Sequence, residues 1–162
     1  MIIRQATPAD ATEACEVLRA SISELCFADH KRNPDILDRW LLSKTPENVA
    51  AWADNIGRSL LVAVEDDVVL AVGGVTDGGE ITLNYVSPKA RFRGVSSALL
   101  KALEERAMAR GAVRATLLST SAPRRRTASM CRAVTKDTGP PQGKFGMAAS
   151  YPMAKTLATP ES

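Results

Sequence analysis

The stretch "EITLNYVSPKARFRGVSSALLKALEERAMARG", residues 80 to 111, restricts the fold more than any other part of the chain. A strand ends at Val86, Pro88 stops it, and a basic loop carrying Lys89, Arg91 and Arg93 leads to Gly94. A long helix then begins. Leu99, Leu103 and Ala107 form its apolar stripe, with Ala98, Leu100 and Ala102 beside them. Glu104, Glu105, Arg106 and Arg110 are assigned to its exposed side and end, and Gly111 is a natural stop. The first amides of such a helix have no partner within it, and the helix dipole makes that end partly positive. An anion there gains about 0.3–1 kcal/mol before any hydrogen bond is counted. Gly94 lets a bulky phosphate approach the backbone. An ordinary helix start with a solvated basic loop is the plain alternative. The combination of strand, proline, basic loop, glycine, small residues and helix favours a phosphate ligand, without naming a reaction.

The remaining elements are read around this turn. "IIRQAT" is a short strand, and "ATEACEVLRASISELC" places Ala14, Val17, Leu18, Ile22 and Leu25 near helical spacing. Cys15 and Cys26 lie in or beside this helix and read as small core residues. "PDILDRWLLSK" and "TPENVAAWADN" are two short helices, the second with Thr45 as N-cap and Pro46 in its first turn. Trp40 and Trp52 are assigned to packing. "SLLVAVED", "VVLAVGGVTD" and "EITLNYVS" form an antiparallel meander with turns at "DD" and "GG". "VRATLLST" is a further strand, and a last one follows "GKFG". The order of elements is that of one α+β domain over residues 1–162, without repeats or linkers.

The 162 residues suffice for one domain with a real core, and the 45% apolar and 24% charged content is that of a water-soluble globular chain. The net charge of +3 suits a phosphate-bearing partner but does not argue for nucleic acid. Three cysteines without metal or disulfide spacing, and no secretory start, point to a reducing cytoplasm. No apolar run approaches the roughly 20 residues that span a bilayer. The reading therefore excludes a metal site, nucleic acid and membrane as partners.

The segment "RFRGVS", with Arg91, Gly94 and Ser96, resembles the (Gln/Arg)-x-x-Gly-x-(Gly/Ala) signature of the GNAT superfamily of acyl-CoA-dependent N-acetyltransferases. Ser96 replaces the usual small residue with another. "TPENV", "VTDGGEITLNYVSP" and "FGMAASYPMAK" resemble bacterial members of unassigned substrate, so the similarity covers most of the chain. The resemblance implies a GNAT fold, with a central mixed, mostly antiparallel sheet of six to seven strands flanked by helices. It implies acetyl-CoA as co-substrate. The amides of Arg91, Phe92, Arg93, Gly94, Val95 and Ser96, with Ser97 after them, would hold the pyrophosphate. The backbone at Tyr85 and Val86 would pair with the pantetheine arm like an added strand. An amine of a small molecule or peptide would then attack the thioester directly. A homodimer through the last strands is a family trait the residues themselves do not establish.

The chemistry needs a base, because an alkylamine with a pKa of about 10.4 is protonated at neutral pH. Family members often carry a carboxylate on the strand before the turn. Here Glu80 is the only acid on that strand, at its far end, and Thr82 and Asn84 stand where a base is expected. Glu24, Asp29 and His30 lie in "SELCFADH", a helix end that should overhang the acceptor side. An imidazole, with an unperturbed pKa of about 6.5, suits base work. Glu24 and His30 are taken as pocket-lining candidates, against the plainer reading of polar surface residues.

The family's general acid is a Tyr after the strand equivalent to "RATLLST", yet no Phe or Tyr occurs between Phe92 and Phe145. In its place stands the basic, patternless "RRRTASMCRAVTK". Thr127–Lys136 can be encoded so that the displaced frame reads "HRFYVPRGYE", which restores the missing Phe-Tyr and Gly-Tyr in register. Met130 has one codon, and it supplies two bases of the Tyr triplet. The expectation is that residues from about Ala122 to Lys136 are a frameshifted reading, the alternative being a divergent natural loop. As written, the segment offers only Cys131 near the acid position, and losing a general acid forfeits about 10²–10⁴-fold in rate. Two functions follow: an N-acetyltransferase, or a catalytically impaired GNAT-fold module that still binds an acyl-CoA. Resequencing the gene checks the segment. A clean in-frame read shared by homologous genes would overturn the displaced frame.

Overall fold

The structure, a computed structural model, describes residues 1–25, 33–119, 136–137 and 151–157. Strand β1 (Ile2–Gln5) is followed by a single 3-10 turn (Pro8–Asp10) and helices α1 (Ala11–Leu25), α2 (Pro34–Leu41) and α3 (Pro46–Asp54). Strands β2 (Arg58–Glu65), β3 (Val68–Thr76) and β4 (Glu80–Val86) come next, then a 3-10 turn (Pro88–Ala90) and helix α4 (Val95–Ala109). Strands β5 (Arg114–Ser119), β6 (Lys136–Asp137) and β7 (Tyr151–Thr156) complete the described chain. The seven strands form one sheet in the order β1-β2-β3-β4-β5-β7-β6. Only β4 and β5 run parallel, and the other neighbours are antiparallel. This is the mixed, mostly antiparallel GNAT-type arrangement expected from the sequence. Among the described residues, no helix is long and apolar enough to cross a membrane.

Local chemistry explains where the elements start and turn. The Asn33 side chain accepts from the Asp35 amide at 3.0 Å, and Thr45 Oγ1 accepts from the Asn48 amide at 3.2 Å, each followed by a proline at the first helical position. Asp66 and Asp67 both adopt positive φ, 50° and 62°, so the β2–β3 hairpin closes with the twist its strands require. At the N-terminus, Arg4 donates twice to the Asp10 carboxylate at 2.8 Å, and the Thr7 amide donates to it at 2.8 Å. The Arg4 guanidinium, more than any other group, lowers the Asp10 pKa from 3.8 to about 2.

The sheet carries a separate apolar cluster on each face. One joins Leu61, Ala71, Val75, Ile81 and Ala115 to Val95, Leu99, Leu100, Leu103 and Ala107 of α4. The other joins Leu60, Val62, Val69, Val72 and Leu83 to Ala14, Cys15, Val17 and Leu18 of α1 and Val49 of α3. Cys15 is a buried core residue as expected; burial pushes its thiol pKa up, and its Sγ donates to the Lys44 carbonyl at 3.1 Å. A small third cluster packs Ile22 with Ile36, Leu37, Leu41 and Tyr85. Glu104 departs from the sequence reading. It is buried, at 7% exposure, because it sits one turn beyond Leu100 on a buried face wider than the Leu99–Leu103 stripe.

The β3–β4 register shifts between Gly74 and Val75, so that Gly74 faces Leu83 and Val75 faces Ile81. Thr82 is the extra residue of this bulge. Strict alternation would put Ile81, Leu83 and Tyr85 on one face. With the extra residue, Ile81 joins the α4 cluster while Leu83 and Tyr85 join the α1 side. The start of β4 is fixed by Gly79, at φ 94°, where a Cβ would fall 2.0 Å from the Arg114 carbonyl oxygen. The Thr116 amide donates to the Gly79 carbonyl at 2.9 Å.

Two outcomes are expected. Gly79→Ala forces the β4–β5 junction apart and adds left-handed strain, lowering urea-unfolding stability by about 3 kcal/mol. Asp10→Asn lowers stability at pH 7 by about 1 kcal/mol, after allowing for solvent screening of the partly exposed pair. Because the folded pKa lies below the unfolded one, the ionised carboxylate stabilises above pH 3.8 and this contribution fades as pH falls through about 2. Urea unfolding of both chains from pH 7 to pH 2 should therefore show the difference closing.

Candidate functional site

Strand β4 leaves its parallel neighbour almost at once. Only Glu80 and Ile81 pair with β5, opposite Thr116 and Leu117. Strand β5 runs on to Ser119 against β7, and β4 runs on to Val86 against β3. Among the described residues, no strand pairs with β4 on the β5-facing side beyond Ile81. A wedge opens there as the two strands part.

The wide end of the wedge leads into the turn the sequence singles out. The Ser87 amide donates to the Leu70 carbonyl at 2.8 Å, Ser87 Oγ accepts from the Lys89 amide at 3.4 Å, and buried Ala90 anchors the loop from below. The backbone then alternates in sign: Arg91 at φ −61°, Phe92 at +62°, Arg93 negative, and Gly94 at +75°. Arg91, extended at ψ 149°, followed by Phe92 at positive φ has the form of a type II turn, and left-handed Gly94 then starts the helix. Gly94 is the N-cap of α4 and supplies no side-chain acceptor. The first intrahelical bond is from the Ala98 amide to the Gly94 carbonyl at 3.1 Å, so the amides of Val95, Ser96 and Ser97 have no partner within the helix. A Cβ on Gly94 would meet nothing within 4 Å, which leaves its positive φ as the only intramolecular reason for glycine.

The charges around the turn are arranged in layers. Phe92 is 88% exposed at positive φ, an unfavourable state for an aromatic residue, and the Arg91 guanidinium lies over its ring at 4.7 Å. Arg93 does not point freely at the turn. It donates to Glu65 Oε2 at 2.5 Å, and Glu65 also lies 3.7 Å from the Met1 ammonium. The Arg93 hydrogen bond is the main cause of the lowered Glu65 pKa. The sequence reading missed Glu65, because only the β2–β3 hairpin brings the end of β2 beside the loop.

The expected site residues separate into groups. Tyr85 and Val86 lie on the open part of β4, and Arg91, Phe92, Arg93, Gly94, Val95, Ser96 and Ser97 form the turn and first helical residues. Val95 is buried, and its side chain is an anchor. Asn84 faces the same first turn: Ser96 Oγ donates to Asn84 Oδ1 at 3.4 Å. Its side chain is directed at α4. Glu80 is exposed at the closed end of the wedge, five residues and about 17 Å along the strand from Tyr85, which separates it from the turn. Glu24 is exposed in the last turn of α1, two residues beyond Ile22, which packs near Tyr85. Asp29 and His30 lie outside the described residues, as does the expected displaced-frame segment apart from Lys136.

On the α1 side, Trp52 is flanked by two cations, with Lys44 Nζ at 5.6 Å and the Arg58 guanidinium at 5.7 Å from the ring centre. Arg58 also donates to Thr82 Oγ1 at the bulge, at 3.1 Å. Trp52 is thus a packing residue, as expected, with a cationic frame that its sequence context did not announce.

Comparison with known proteins bears on this geometry. Residues 22–133 match the family model described as "Acetyltransferase (GNAT) family". Comparison with curated proteins gave no match. Among solved structures, the chain is similar to a GCN5-related N-acetyltransferase from Rhodopseudomonas palustris, with 24% identity, TM-score 0.80, and coverage of 96% of this chain and 95% of that one. It is also similar to the PaiA N-acetyltransferase of Thermoplasma acidophilum in complex with coenzyme A, with 16% identity, TM-score 0.75, and coverage of 96% and 98%. A ribosomal-protein-alanine N-acetyltransferase from Brucella melitensis aligns with 22% identity and TM-score 0.74 over 97% of this chain and 100% of that one. At these identities the likeness establishes the fold.

The turn generates its own test. Gly94→Ala should fold and lose about 1 kcal/mol of stability from the left-handed φ alone. Titration of the labelled protein with pyrophosphate should shift the amide resonances of residues 93 to 97 in the parent, and do so several-fold less in the variant. Equal titration curves would show that the turn does not hold the anion.

Proposed function

The chain belongs to the GNAT acetyltransferase family, and on that premise we propose that it passes an acetyl group from acetyl-CoA to an amine of a small molecule or peptide. The observation that carries the proposal is the conjunction of two backbone features among the described residues: the parting of β4 from β5 after Ile81 and the first turn of α4, which has no side-chain cap. One suits the amide-bearing pantetheine arm, and the other suits the diphosphate. The solved relatives in complex with coenzyme A or acetyl-CoA support the same co-substrate.

In this reading, Tyr85 and Val86 hold the arm through their backbone, and the amides from Arg91 to Ser97 hold the diphosphate. The Lys89 and Arg91 side chains add positive charge at the rim. The amine nitrogen attacks the thioester carbonyl, the C–S bond breaks, and the sulfur leaves as a thiol once protonated. Glu24 and His30 are the candidates for receiving the amine's proton on the α1 side. Glu80, exposed at the closed end of the wedge, is the remaining carboxylate candidate on β4. The acceptor is assigned no narrower class. A cytoplasmic location fits a co-substrate of this kind.

A second reading rests on one observation: no Tyr lies between Tyr85 and Tyr151, so the segment after β5 carries no phenolic acid for the leaving thiolate. The chain would then bind acetyl-CoA and turn over slowly. Thermal unfolding with acetyl-CoA at 100 times its Kd should raise stability by about 2.7 kcal/mol under either reading. Thiol release measured over a panel of amines separates them. Release with at least one amine supports transfer, a thermal shift with a flat panel supports binding alone, and no thermal shift overturns both.

A further inference from the structure

Asn84 is half-buried and lies beside the closest approach of α4 to the sheet. Its register partner on β3 is Gly73, and a Cβ on Gly73 would fall 2.8 Å from Leu103 Cδ1 and 3.0 Å from Leu99 Cγ. Helix α4 therefore presses directly on the sheet beside Asn84, with Leu99 and Leu103 fully buried. Into this contact the chain places a carboxamide. One end meets Ser96 Oγ at 3.4 Å, and the other, Nδ2, is buried without a hydrogen-bond partner among the described residues. Turning the carboxamide over exchanges its ends and leaves the same balance, one end on Ser96 and one unmatched. A buried polar group left half-satisfied costs stability, and an apolar residue of similar volume would remove that cost.

What the carboxamide does touch is informative. Ser96 is the second residue of α4, and its amide is one of those the helix leaves unpaired. A distance of 3.4 Å is long against the roughly 2.7–2.8 Å of a good hydroxyl hydrogen bond, so the contact orients the residue more than it clamps it. We propose that Asn84 is a positioning residue: through the Ser96 hydroxyl it sets the first turn of α4 so that the amides of Val95, Ser96 and Ser97 converge on the diphosphate of the co-substrate. It touches neither amine nor thioester and transfers no proton. The inference rests on the reading of acetyl-CoA as co-substrate, and it replaces the expectation of a catalytic role for Asn84.

The test uses Asn84→Leu, Asn84→Ser, Ser96→Ala and the double variant Asn84→Leu/Ser96→Ala, each titrated with coenzyme A by calorimetry and followed by thermal unfolding without ligand. Asn84→Leu is expected to raise the unfolding temperature, or leave it unchanged, while weakening coenzyme A binding about tenfold. Ser96→Ala is expected to weaken it similarly, and the double variant should be no weaker than either single one, since both remove the same contact. Asn84→Ser, which keeps a small polar group facing Ser96, should recover part of the affinity, and it serves as the second probe if the leucine variant does not fold. A purely structural role would move the unfolding temperature and leave the affinity alone. Parent-like affinity in both Asn84 variants, or losses that add in the double variant, would overturn the positioning role and leave the co-substrate reading standing. A parent chain that does not bind coenzyme A would overturn both.

Discussion

The site depends on a parallel strand pair that is held at one end and released at the other. Gly79 carries no Cβ, so the Arg114 carbonyl can press against it, and the Gly79 carbonyl takes the Thr116 amide. Two residues later the pairing stops. A strand edge without a neighbouring strand is usually a liability in a folded chain. Here it lies in the interior of the sheet, between β4 and β5, where another chain cannot reach it edge-on. It is available to a thin, extended molecule that enters along the wedge.

The turn at the mouth of the wedge is the electrostatic counterpart of that edge. Its amides are oriented by the alternating backbone of Arg91 to Gly94 and by the absence of a capping side chain. Two of the nearby cations are already engaged, Arg93 with Glu65 and Arg91 with the Phe92 ring. Toward an anion brought to this turn, fixed dipoles would act at short range, and the side-chain charges would contribute a broader field that salt screens.

The parts of this arrangement that were legible in the sequence are those set by local chemistry. Pro88, the basic loop, Gly94 and the spacing of Leu99 and Leu103 act within a few residues, and the turn they describe is the turn observed. The hairpin at Asp66–Asp67 and the caps at Thr45 and Pro46 are legible for the same reason. What escaped depends on contacts between distant segments. The bulge at Thr82 shows no signature in an alternating strand, so the opposite facing of Ile81 and Leu83 could not be read. The burial of Glu104 depends on how wide a helix face the sheet covers, and the engagement of Arg93 depends on where β2 ends. Asn84 was picked out as chemically interesting, but which face it serves is decided by that same bulge.

The two faces of the sheet keep separate cores, and this has an evolutionary consequence. The residues that seat α4, from Val95 to Ala107, belong to one cluster, and those that seat α1 and α3 belong to the other. Drift in α1 or α3 can repack one layer while the seat of α4 on the other face keeps its shape. A lineage with this architecture can therefore vary one layer by substitutions confined to it and retain the other.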